Sequence, residues 1–179
     1  GYAWYQFLKN RDVSKFHPSM NPPLDFTAQS KIDCMPVYHR FAAEFFVEQD
    51  WYDFGSNAWI YVQNIMVQEN PEGDPSHFTF FVSTRTFFEM FQGWVTDFQA
   101  SRKDIKRSTL QTKFEQCGIL KCETRKRINH KQRNVFQFTE HSIRTALLKM
   151  YPTLKLEKWF CETHPKIFRE ELESKRKQI

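Results

Sequence analysis

Between residues 84 and 98 the large apolar side chains Phe87, Phe88, Phe91, Trp94, Val95 and Phe98 recur at i, i+3, i+4 and i+7. That spacing gathers them on one face of a helix, and so wide an aromatic stripe has to be covered by other elements. The stripe is therefore read as core rather than as a cofactor box. Nineteen of the 179 residues are phenylalanine, so apolar surface to bury is ample at about 25 cal/mol per Å², which excludes general disorder. The length suits one domain of ordinary size with helical appendages.

Around this helix the punctuation predicts further elements. Thr27 is a good N-cap for a helix from Ala28 through Phe41, Phe45 and Phe46, with Pro36 kinking or restarting it. Trp59 to Val67 and Phe78 to Val82 are rich in β-branched and aromatic residues, and Asn70-Pro71-Glu72-Gly73-Asp74-Pro75 supplies turn chemistry between them, the pattern of a strand or short hairpin. Ser83 or Thr84 caps the aromatic helix. Residues 102–106 form a short turn or helix, and Ser108 caps a compact helix over 109–117 that Gly118 stops as its C′ residue. Two strands, 119–125 and 135–139, then flank a polar tip at 126–134. Thr139 caps a helix through Lys149, Tyr151-Pro152 ends it, and Glu162 to Ile179 read as a polar helix with alternating charges.

Charge is unevenly distributed along this order. Residues 101–150 hold thirteen Lys and Arg against four acids, a net of +9, and the whole chain's formal +5 leaves −4 for the remainder. Helix, turn, second helix, hairpin is the order of a winged helix-turn-helix, in which the second helix faces a groove and the hairpin wing crosses the neighbouring backbone. The expected fold is thus α+β and mostly helical, with a winged helix-turn-helix core, an N-terminal helical linker and a C-terminal helical tail. The candidate nucleic-acid contacts are Lys103, Lys106, Arg107, Gln111, Thr112 and Lys113 before and on the second helix, and Arg125, Lys126, Arg127, Lys131 and Arg133 on the wing. Lys and Arg without an Asn or Gln array favour phosphate contact over base readout. Some winged helices dock protein instead, and salt dependence separates the two roles.

Other classes are set aside on spacing. No apolar run reaches the roughly 18 to 20 residues of a membrane span, so a soluble, non-secreted chain without membrane contact is expected. Cys34, Cys117, Cys122 and Cys161 form no CxxC pair and lack a completing His motif, so reduced thiols in an intracellular compartment are expected and no metal site. Asp50, Asp53 and Asp74 lie in turns without the partners a metal nuclease requires. His39 is a structural histidine and His130 a wing-tip phosphate contact. No catalytic residues are assigned, and no Gly-x-x-x-x-Gly-Lys-Ser/Thr loop is present, so this stretch is read as non-enzymatic.

The run Trp4-Tyr5-Gln6-Phe7-Leu8-Lys9-Asn10-Arg11-Asp12-Val13-Ser14-Lys15-Phe16-His17-Pro18, with Phe88-Glu89-Met90-Phe91-Gln92-Gly93-Trp94, Arg107 and Gly118-Ile119, resembles the C-terminal region of superfamily 3 helicases of the poxvirus and phage primase-helicase type. The resemblance covers residues 2–30 and 84–138; Pro23-Leu24-Asp25-Phe26-Thr27 is longer than the corresponding family element. It implies an accessory region of a replicative DNA helicase-primase, a hexameric motor using ATP and Mg²⁺, with no cofactor held in this part. The implied partners are DNA, whether single-stranded, duplex or forked, the parent helicase ring and replisome proteins, in the host cytoplasm or at a site of viral or plasmid replication. A helix that opens without a cap at Gly1 is read as a fragment of a longer chain. The implied division is 1–50 as linker and end of the ATPase region, 51–150 as the winged-helix domain, and 151–179 as the helical tail.

Overall fold

A computed structural model of the chain describes residues 34–47, 64–97, 107–156 and 158–177. These form an α+β arrangement in the order α1 (Val37–Val47), β1 (Ile65–Glu69), β2 (Phe78–Ser83), α2 (Thr84–Asp97), α3 (Arg107–Gln116), β3 (Leu120–Lys121), β4 (Lys126–Ile128), β5 (Lys131–Arg133), β6 (Val135–Thr139), α4 (Glu140–Met150), α5 (Phe160–Thr163) and α6 (Pro165–Lys177). About half of the described residues are helical. An antiparallel sheet runs β1-β2-β6-β3, and β4 and β5 form a separate two-stranded ribbon. No helix among the described residues is long and apolar enough to cross a membrane.

Strand β2 is buried along its whole length, and the pleat explains how both of its faces are used. Phe78, Phe80 and Val82 point into the main core, where Phe80 stacks on Phe138 at 5.6 Å and meets Trp159 and Phe168. On the other face Phe81 joins Ile128 and Val135 in a small second cluster beneath the ribbon. The polar residues of the strand are bonded: the Thr79 hydroxyl donates to Asn70 Oδ1, and the Ser83 hydroxyl to Thr86.

The aromatic stripe of α2 is covered mainly by α1 and α3. Phe41 of α1 inserts among Phe87, Phe91, Trp94 and Phe114 with centroid separations of 5.1–5.9 Å, each edge-on or steeply inclined as ring quadrupoles favour. Phe98 and residues 102–106 lie outside the described residues, as do the Thr27 cap, residues 28–33 and 59–63, and the whole resemblance over 2–30.

Helix ends follow the expected chemistry, with corrections. Pro36 does not kink a continuous helix: Cys34 and Met35 before it are not helical, its carbonyl accepts from Arg40 N and α1 begins at Val37. Ser83, not Thr84, caps α2, accepting from Thr86 N at 3.1 Å. Thr139 and Ser142 form a reciprocal capping box on α4. The described part of helix α3 runs from Arg107, and the helix ends as expected at Gly118, in a Schellman motif with Ile119 N on Phe114 O and Gly118 N on Glu115 O. The polar tip at 126–134 is itself the β4–β5 ribbon. The polar tail is docked, since α6 buries Phe168 and Leu172 in the main core.

Candidate nucleic-acid interface

The ribbon is closed by Asn129 and His130, both with positive φ (47° and 60°), the two-residue arrangement whose twist matches that of flanking strands. Asn tolerates this backbone region well, and His more readily than most residues. The register pairs Lys126 with Arg133, Arg127 with Gln132 and Ile128 with Lys131. Residues two apart share a face, so Ile128 anchors the ribbon on Phe81 and Val135 while Lys126, on the same side, lays its Nζ 5.0 Å from the centroid of the Phe81 ring. Arg127 and Gln132 face the other way into solvent. The foot of the ribbon is fixed by backbone bonds: Thr84 N donates to Asn134 O, and Cys122 N to Val135 O.

The electrostatics are one-sided. Arg125, Arg127 and Lys131 are exposed, Lys126 and Arg133 are half-buried, and none of the five is within ion-pair distance of an acid among the described residues. Lys126 and Arg133 stand directly opposite each other, where like charges repel. Arg133 also keeps its Nε buried without a hydrogen-bond partner. Glu123 is the one acid between β3 and β6.

The helix candidates divide. Thr112 is exposed on α3. Gln111 bridges, its amide donating to Glu115 at 3.0 Å while its oxygen accepts from Lys121 Nζ at 3.3 Å. Lys113 is turned onto α1, with its Nζ 5.2 Å from the Tyr38 ring centroid, and is not grouped with the ribbon. Burial, reinforced by the Lys113 charge, lowers the pKa of His39, whose Nδ1 lies 2.6 Å from the Tyr151 hydroxyl. Arg107 opens α3, and Lys103 and Lys106 lie outside the described residues. Arg144, counted in the basic window, faces inward and pairs with Glu140.

Of the set-aside enzymatic candidates, Asp74 accepts from Ser76 N at 2.9 Å as a turn residue; Asp50 and Asp53 lie outside the described residues. Cys117 and Cys161 are buried, Cys122 half-buried and Cys34 exposed; all four are free thiols. Burial pushes the Cys117 thiol up to about 12, which keeps it protonated and unreactive.

Beside the ribbon, between α2, α3 and β3, lies a cavity of about 130 Å³ whose walls include Phe87, Phe88, Phe114 and Phe136. It was missed from the sequence because those rings come from three separate elements, and each alone carries only a core signal. Lys121, on the short exposed strand β3, also lines this cavity. No family model, curated protein or solved structure matches the chain.

Proposed function

We propose that this chain is a nucleic-acid-binding module of winged-helix type that grips phosphates with its basic ribbon, as an accessory region of a replicative helicase-primase. The winged-helix reading is supported by α2 and α3 lying between β2 and β3, by the sheet order β2-β6-β3 and by the ribbon inserted in the chain between β3 and β6. The observation that carries the binding role is the Lys126–Arg133 pair. Two half-buried cations at paired strand positions, with no acid in ion-pair range among the described residues, disfavour each other in the free protein, and a bound polyanion relieves that repulsion. The helicase-primase parentage rests on the sequence resemblance; ATP and Mg²⁺ belong to the motor and DNA to the whole assembly. Protein docking is the competing role for such a module.

Binding measured across a salt series tests the reading. Each phosphate contact contributes a slope of about 0.9 in log K against log salt on duplex and ~0.7 on single strands. The triple variant Arg125→Ala, Arg127→Ala, Lys131→Ala removes three exposed cations and is expected to fold, as exposed substitutions cost within about 0.5 kcal/mol. Its slope should be shallower by roughly 2 to 3 units. An unchanged slope would remove the ribbon from the interface. A parent chain lacking a phosphate-binding loop would remove the helicase assignment.

A further inference from the structure

We propose that the cavity at the foot of the ribbon receives one unstacked nucleobase, so that the preferred ligand is single-stranded rather than fully paired nucleic acid. The inference rests on the phosphate-binding reading above and names the substrate class of that same site.

Size is the first argument. A cavity of about 130 Å³ is close to the ~150 Å³ hole that takes up a benzene molecule in a protein core, so it suits one six-membered ring and not a folded peptide element. The lining is the second. Rings of Phe87, Phe88, Phe114 and Phe136 contribute to its wall, and aromatic walls hold bases through π-faces that every base possesses. Two polar groups of the lining supply the third argument. The Thr84 hydroxyl and the Asn134 carboxamide make no hydrogen bond among the described residues, while their backbones are tied together by Thr84 N on Asn134 O at 3.0 Å. A carboxamide presents both donor and acceptor to the edge of a base.

Position completes the case. Asn134 directly follows Arg133, and Lys121 also lines the cavity, so a backbone held by the ribbon passes beside it. A base inside an intact duplex is stacked on both sides and cannot enter; a flipped base, a frayed end or a single strand can. Exposed Thr112 and the Lys121–Gln111 contact lie on the neighbouring elements β3 and α3, leaving the cavity between a cationic edge and a polar helix face.

The test uses the full 179-residue chain and three probes of equal length at one salt concentration: an oligothymidylate, an abasic strand of the same backbone charge, and a duplex. Oligothymidylate should bind roughly 5- to 150-fold more tightly than the abasic strand, the worth of one stacked base. In Phe88→Leu, and separately in Asn134→Ala, which alters an exposed side chain and so guards against a folding defect, that ratio should fall toward one. Equal affinity of the wild type for oligothymidylate and abasic strand, or tighter binding of the duplex than of oligothymidylate, would overturn the base pocket and leave the ribbon reading standing. Failure of all three probes to bind, or binding without salt dependence, would overturn the ribbon reading itself.

Discussion

Gly118 lies against the backbone of Ser142: a Cβ at residue 118 would come within 2.6 Å of the Ser142 carbonyl carbon, while the Ser142 hydroxyl donates to Gly118 O at 2.9 Å. The end of α3 is thereby pressed onto the start of α4, and φ of +79° at Gly118 already disfavours any other residue. Gly118→Ala therefore combines a left-handed-backbone cost of about 1 kcal/mol with a clash against rigid main chain. A loss of roughly 3 kcal/mol or more in urea denaturation is expected; a loss under ~1 kcal/mol would mean that α3 and α4 separate easily.

This contact shows what could be read from the chain alone. Gly118 after a periodic helix was legible as a helix stop because the requirement for positive φ is local. What it presses on was not, because Ser142 is 24 residues away. The same division runs through the candidate interface. The ribbon cations were legible as a cluster because strand alternation and sign bias are both local patterns. The destination of Lys113 was not, since helix spacing gives a face and a long flexible stem then reached the Tyr38 ring on α1. The docking of α6 was hidden by its polar composition: Phe168 and Leu172, four apart, were the only two apolar anchors that buried it.

Those anchors give a contrast in magnitude. The Phe168 ring lies 5.4 Å from Phe78 and 6.1 Å from Phe80, fully inside the core, so Phe168→Ala should cost about 3 to 5 kcal/mol in denaturant unfolding. On the same helix Arg169 pairs with Glu69, but the two side chains are 48% and 63% exposed. Arg169→Ala should cost under about 1 kcal/mol. Equal effects of the two substitutions would show that α6 is held by its charges and not by its apolar face.

The start of α4 predicts a pH dependence. Glu140 is buried, accepting from Arg144 and from Trp159 N at 3.1 Å. Burial, with a carboxyl hydrogen bond to Glu162, pushes its pKa up to about 7 despite the opposing pull of Arg144 and Trp159 N. Between its ordinary 4.5 and that value the folded chain holds a proton the unfolded chain has lost, so stability falls as pH rises through this window. The loss is at most about 3 to 4 kcal/mol, at about 1.4 kcal/mol per pKa unit. His39, with a lowered pKa, contributes a slope of opposite sign below its ordinary 6.5. Comparing urea midpoints of wild type and Glu140→Gln at pH 5 and pH 7.5 cancels the histidine. The difference between the two proteins should change with pH, and a constant difference would contradict the assignment.

The ribbon turn carries a removable strain. His130 occupies the second of two positive-φ positions, where glycine has no side-chain penalty. His130→Gly is expected to raise stability by about 1 kcal/mol, read as an increased denaturation midpoint. Phosphate contact by the imidazole, the role expected from sequence, would show as weaker nucleic-acid binding by the same variant. Unchanged binding would leave the turn residue with conformation alone.

A site kept for binding often costs stability in the free protein, and the Lys126–Arg133 pair allows that trade-off to be measured directly. Their side chains project from directly opposed strand positions, where Cβ atoms are about 5 Å apart, with no acid to offset the repulsion among the described residues. Arg133→Gln keeps a polar side chain while removing one charge and a buried, unpartnered Nε–H. The free protein should gain a few tenths to about 1 kcal/mol, more at low salt than at high salt, because screening already weakens the repulsion in the wild type. Affinity for a nucleic-acid strand should fall in the same variant, and the two opposite changes together are what a binding role requires. Loss of stability with unchanged affinity would instead mark Arg133 as a packing residue of the ribbon, its charge irrelevant to any partner.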